Sequence, residues 1–130
     1  MKFIVLVANI KNNFMNKKLN AYLSVEETIS SGYDFEKTWY IRAIMVITMI
    51  KTGQLDPVKS HKLLLEICRD LTWIKENLNQ QLTMAHRALL AQIFDSSIEI
   101  IHGYIVDKDS SYLDIVIKSL KTVAEPYQDH

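Results

Sequence analysis

Residues 56–79 read DPVKSHKLLLEICRDLTWIKENLN, and this stretch decides the fold class. Asp56 has the short acceptor side chain that satisfies the free N–H groups of a helix's first turn. Pro57 stands at the first helical position, where its missing N–H costs nothing. Leu64, Ile67, Cys68, Leu71, Ile74 and Leu78 then recur at threes and fours, which puts them on one face of a helix. Lys62, Glu66, Arg69, Lys75 and Glu76 fall largely outside that face, and Asn79-Gln80-Gln81 makes the turn that ends it.

The same signs recur on either side. Upstream, Asp34 is placed to cap a helix from Phe35 to Lys51, which Gly53 closes just beyond its end. Trp39, Ala43, Val46 and Ile50 supply one face of it. Downstream, Thr83 caps a helix reaching about Val106, roughly 35 Å at 1.5 Å per residue. Its stripe is Leu90, Phe94, Ser97, Ile98, Ile101 and Ile105. Asp107-Lys108-Asp109-Ser110 is the break. Ser111 opens the fourth helix, with Asp114 three places on as a weak capping box. Leu113, Val116, Ile117, Leu120 and Val123 line its buried side, and Pro126 ends it. Helices of this length on short polar links pack antiparallel. The expected architecture is all-α, an up-and-down four-helix bundle with an additional N-terminal segment.

That segment has two parts. Residues 19–31 carry Leu19, Tyr22, Leu23, Val25 and Ile29, enough for a short helix before Ser30-Ser31-Gly32. Residues 1–18 read as an extension or arm, and 19–130 as the bundle domain. Phe3 to Ile10, FIVLVANI, is too short to span a bilayer, which needs about 20 apolar residues. As a signal peptide it lacks a small-residue cleavage site, since Lys11-Asn12-Asn13-Phe14 follow. It is either an apolar arm packed on the domain or an extension upstream of a natural start at Met15.

Totals narrow the function classes. The chain has 130 residues, of which 48% are hydrophobic, and its fifteen basic and fifteen acidic side chains cancel. One domain of this size buries about two thirds of its unfolded surface. A balanced charge gives no positive field for nucleic acid or an anionic membrane. The lone Cys68 rules out a disulfide framework and fits a reducing compartment. Three glycines cannot build a phosphate loop. His61, His86, His102 and His130 show no metal spacing with one another or with Cys68, so neither metal nor cofactor is expected. Asp107 and Asp109 lack the downstream glycine and glutamate of a calcium loop. His86, in Ala85-His86-Arg87-Ala88-Leu89-Leu90, is followed by leucines where a phosphotransfer histidine is followed by lysine and glycine.

What the pattern leaves over is apolar surface. Beyond the stripes above, Ile41, Met45 and Met49 line a second face of the first helix. Trp73 and Leu65 add to the second, Leu89, Ile93, Ile100 and Tyr104 to the third, and Tyr112 and Ile115 to the fourth. Such a surplus on a neutral chain predicts a groove for another amphipathic segment. Methionines suit it, because an unbranched thioether repacks against varied partners. The expected groove residues are Ile41, Met45, Met49, Trp73, Leu89, Ile93, Ile100 and Tyr104. The alternative is a self-associating helical scaffold that buries the same surface in a homodimer.

From about Leu19 to Asp129 the chain also resembles the FliS family of flagellar secretion chaperones. The resemblance is carried by Asp109, Leu113, Val116-Ile117, Leu120 and Val123, by Leu90 and Ile93-Phe94-Asp95, and by Asp56. Asn20-Ala21-Tyr22 and Trp39-Tyr40 with Ala43-Ile44 extend it, and Tyr127 stands where the family usually has tryptophan. Ile41 and Arg42 replace an aspartate and a glycine of the family pattern, so the chain resembles a divergent member. The resemblance implies a cytoplasmic, non-enzymatic, ATP-independent export chaperone. Its client would be the disordered C-terminal segment of flagellin, held from early polymerisation and delivered to a component of the type III export gate. No nucleic acid and no membrane insertion would be involved. It further implies that Tyr22 and Leu23 gate the groove.

Overall fold

The structure, a computed structural model, describes residues 35–125. Four helices fill that range: α1 (Phe35–Lys51), α2 (Pro57–Glu76), α3 (Met84–Asp107) and α4 (Ser111–Ala124). Each consecutive pair packs together, and α1 also packs on α4, so the helices close a ring of four. Their short links reverse the chain each time, as the patterning requires. Cross-ties fit this antiparallel order: the indole of Trp39, early in α1, donates to Asp70 late in α2 at 3.2 Å, and Lys51 at the end of α1 pairs with Asp114 at the start of α4. The expected helix before Gly32, the cap Asp34, the arm 1–18, the gating pair Tyr22 and Leu23, and Pro126 lie outside the described residues.

Local chemistry sets the boundaries. The Asp56 carboxylate accepts from the N–H of Lys59 at 3.0 Å, with Pro57 at the first position of α2. The Thr83 hydroxyl accepts from the N–H of His86 at 3.1 Å to start α3. After Lys51, Gly53 takes φ +75°, and the N–H groups of Gly53 and Gln54 donate back to the carbonyls of Ile50 and Met49. These two crossed bonds close a helix only where the chain turns left-handed, which glycine does without strain. The start of α4 corrects the sequence reading. Ser111 and Asp114 form no capping box; instead Asp109 Oδ1 accepts from the backbone N–H and the hydroxyl of Ser111, at 3.0 and 2.7 Å. Asp114 is engaged by Lys51, which holds its carboxylate on the α1 side.

The core is built mainly from the predicted stripes, with Tyr40, Ile44 and Ile47 added on α1 and with Leu78, Leu90, Ile98, Ile105 and Ile117 only partly buried at its edge. Trp39, Ala43, Val46 and Ile50 of α1 meet Leu64, Ile67, Leu71 and Ile74 of α2, Phe94 and Ile101 of α3, and Leu113, Val116 and Leu120 of α4. Tyr40 stacks on Phe94 at 6.4 Å between ring centres and meets Trp39 edge-on at 5.3 Å, so α1 and α3 touch across the bundle's middle. Offset and edge-on rings of this kind add about 0.5–1.5 kcal/mol beyond area burial. The helices share the core unequally. From Thr38 to Ile50 every position of α1 is buried or half-buried, whereas α3, long and apolar enough by composition to cross a membrane, has only 17% of its most apolar window buried.

Candidate functional site

The longest helix carries open apolar surface because its sequence has a second line of largely apolar residues beside its buried one. One line, Phe94, Ser97 and Ile101, is fully buried. The other follows Leu89, Ile93, Ser96, Ile100, Gly103 and Asp107, spaced alternately by four and three, which keeps them in one row on a helix. Tyr112 of α4 fixes which way this row faces. A Cβ on Gly103 would lie 3.2 Å from the Tyr112 ring, and the Tyr112 hydroxyl donates to Asp107 Oδ2 at 2.9 Å. The row therefore runs along the outer side of the seam between α3 and α4. The matching row on α4 is Tyr112, Ile115, Ser119 and Thr122, again at threes and fours.

Together the rows form a shallow strip, apolar at Leu89, Ile93, Ile100, Tyr112 and Ile115 and polar at Ser96, Ser119 and Thr122. Leu89 is 54% exposed and Ile115 49% exposed, while Ile93 and Ile100 are half-buried and rest on the core. The turn end of the strip is built from polar contacts. The hydrogen bond to Asp107, with its negative charge, holds the Tyr112 hydroxyl protonated above its ordinary pKa of 10.0. Hydrogen bonds from Ser111 hold the Asp109 carboxyl below its ordinary value. The Lys108 ammonium stands 5.9 Å over the Tyr104 ring, a weak exposed cation–π contact.

The eight residues expected to share one groove are divided among three places. Leu89, Ile93 and Ile100 lie in the α3–α4 strip, and Tyr104 sits beside it, packed on the core. Trp73, 40% exposed, is on α2, which does not border that seam. Ile41, Met45 and Met49 share the side of α1 turned away from its core residues. Because α1 and α3 face each other across the bundle, their outward sides point in opposite directions. Ile41 and Met49 are each only 2% exposed and stand apart from the core cluster, with Met45 half-buried. As they stand, they are closed to an outside ligand.

Two strip residues, Tyr112 and Ile115, were legible as surplus on the fourth helix but were not joined to the α3 row. The spacing of 112, 115, 119 and 122 carries that signal; the pairing of rows needs the fold. Cys68 is buried, and that burial pushes its thiol up to about 11, away from the thiolate form. Among the described residues no group of three or more His, Cys, Asp or Glu could hold a metal ion. Set beside known protein families, curated proteins and solved structures, the chain has no match in any of the three.

Proposed function

We propose that the chain is a flagellin export chaperone, a cytoplasmic, ATP-independent bundle that sheathes the disordered C-terminal segment of flagellin and delivers it to the export gate. The observation that supports this most is the α3–α4 strip, where Leu89, Ile93 and Ile100 of α3 and Tyr112 and Ile115 of α4 leave apolar surface at the seam, Leu89 and Ile115 half in water. A disordered client that becomes helical on such a strip loses chain entropy. Burial at about 25 cal/mol per Å² of apolar surface has to offset that loss. A helical bundle with half-exposed apolar residues along one seam suits such coupled folding and binding. The choice of client is supported by the residues that resemble the FliS family, among them Asp56, Ile93-Phe94-Asp95, Asp109, Leu113 and Leu120.

The test is titration of the full chain with a flagellin C-terminal peptide, followed by calorimetry and circular dichroism. The wild type is expected to bind and the peptide to gain helix. Leu89→Glu and Ile115→Glu, both at half-exposed sites, should keep the bundle's spectrum and weaken binding at least tenfold. A wild type that ignores the peptide removes the flagellin client. A concentration-independent dimer in sedimentation, with the strip shielded, would favour the self-associating scaffold instead.

A further inference from the structure

The α3–α4 strip is bordered by unlike charges. Between Leu89 and Asp107, α3 carries Asp95, Glu99 and Asp107 and neither lysine nor arginine; Asp95 is engaged by Lys75 on the α2 side and Asp107 by the Tyr112 hydroxyl, which leaves Glu99 as the exposed charge. On α4, the acidic Asp114 is engaged by Lys51 on the α1 side, which leaves Lys118 and Lys121 as its exposed ionic groups along the helix. Helical spacing puts Glu99 on the outer flank of the α3 row, between Ser96 and Gly103. It puts Lys118 on the outer flank of the α4 row, between Ile115 and Thr122. Counting from the turn at 108–110 in antiparallel helices, Glu99 and Lys118 stand at nearly the same height, with Ile100 and Ile115 between them. Both are exposed, and among the described residues neither is in an ion pair with a protein group.

We infer that this seam selects an amphipathic helix whose two polar flanks carry opposite charge, basic toward α3 and acidic toward α4, and so holds it in one direction. The inference rests on the proposed docking of a client in the strip and adds its chemistry and polarity. A helix laid with its apolar stripe on Ile100 and Ile115 presents one flank to Glu99 and the other to Lys118. Reversing the helix exchanges its flanks. Only one direction then matches both borders, while the other sets like charges against each other, which is the repulsive half of specificity. A client with both signs mixed on each flank gains nothing from direction.

Two synthetic peptides of identical composition and identical Leu/Ile stripe test this. One carries lysines on one flank and glutamates on the other; the second has them mixed on both. A nitroxide at the peptide's amino terminus reports direction by broadening the NMR signals of residues near either Leu89 or Ile100. At low salt the segregated peptide should bind about fivefold tighter and in one direction, with the margin shrinking as salt screens the borders. Glu99→Lys should cost the segregated peptide about fivefold, and adding Lys118→Glu should restore affinity with the direction reversed. Equal binding of the two peptides, or a double variant that leaves direction unchanged, overturns the charge reading. If Leu89→Glu still abolishes binding in that case, the strip remains the docking site; if Leu89→Glu is also silent, the docking itself fails.

Discussion

Two polar side chains in the core behave oppositely, and the difference lies in their partners. Asp70 is buried on α2 and its carboxylate accepts the indole N–H of Trp39, which gives the tryptophan's donor a partner. Ser97, 1% exposed on α3, has a hydroxyl with no hydrogen-bond partner. A buried unsatisfied hydroxyl costs about 1–3 kcal/mol, whereas removing one member of a buried bond exposes that same cost on the other. Ser97→Ala is therefore expected to raise unfolding free energy by about 1 kcal/mol, helped by the better helix propensity of alanine. Asp70→Ala should lower it by about 1–3 kcal/mol. Urea denaturation of both variants checks the pair; stabilisation by Asp70→Ala would contradict the role given to the Trp39 bond. Ser97 was legible as a stripe residue because its position follows from spacing alone. Asp70 was not, because its partner lies 31 residues away on another helix and no local pattern announces it.

At the scale of elements, the helix ends read well from sequence wherever the signal is contained in one turn. Asp56, Thr83 and Gly53 act within three or four residues of themselves, and each performs the expected bond. The start of α4 was misread because two carboxylates compete there, and the winner is decided in three dimensions. Lys51 draws Asp114 toward α1, and the Ser111 N–H and hydroxyl are met instead by Asp109 in the preceding turn. The α3–α4 turn is also where titration touches stability. Tyr112 has its folded pKa raised, chiefly by its hydrogen bond to Asp107. Its contribution is thus fully present below the unfolded value of 10.0 and is lost as pH rises through the higher folded value. Asp109 has its folded pKa lowered, so its contribution is present above 3.8 and is lost as pH falls through the lower folded value. Tyr112→Phe should accordingly melt below the wild type at neutral pH, with the gap closing in strongly alkaline buffer. Thermal melts across that range decide it, and a gap independent of alkaline pH would show that the Asp107 bond contributes nothing.

The whole molecule explains why the bundle was legible and the site only partly so. Apolar stripes report that a face is buried or sticky, but not which two faces end up as neighbours. Thus α1 and α3, each with a second apolar row, were read as walls of one groove, yet they meet at the centre through Tyr40 and Phe94 and turn those rows outward in opposite directions. The α3 row finds its neighbour on α4, where Tyr112 crosses to Gly103 and Asp107. A seam of this kind has a thermodynamic signature distinct from that of charged borders alone. Covering an apolar strip while ordering a client buries on the order of 1,000 Å² of apolar surface, and this removes heat capacity. Binding of a client peptide should therefore show an apolar contribution to the heat-capacity change of roughly −0.45 kcal/mol per K, its enthalpy growing more favourable as temperature rises. Calorimetric titrations at three temperatures measure it directly. Ile115→Glu should shrink the slope along with the affinity, because it places a charge where apolar surface must close. An enthalpy that stays flat with temperature would mean that the partner is held by its charges and that the strip between α3 and α4 remains wet.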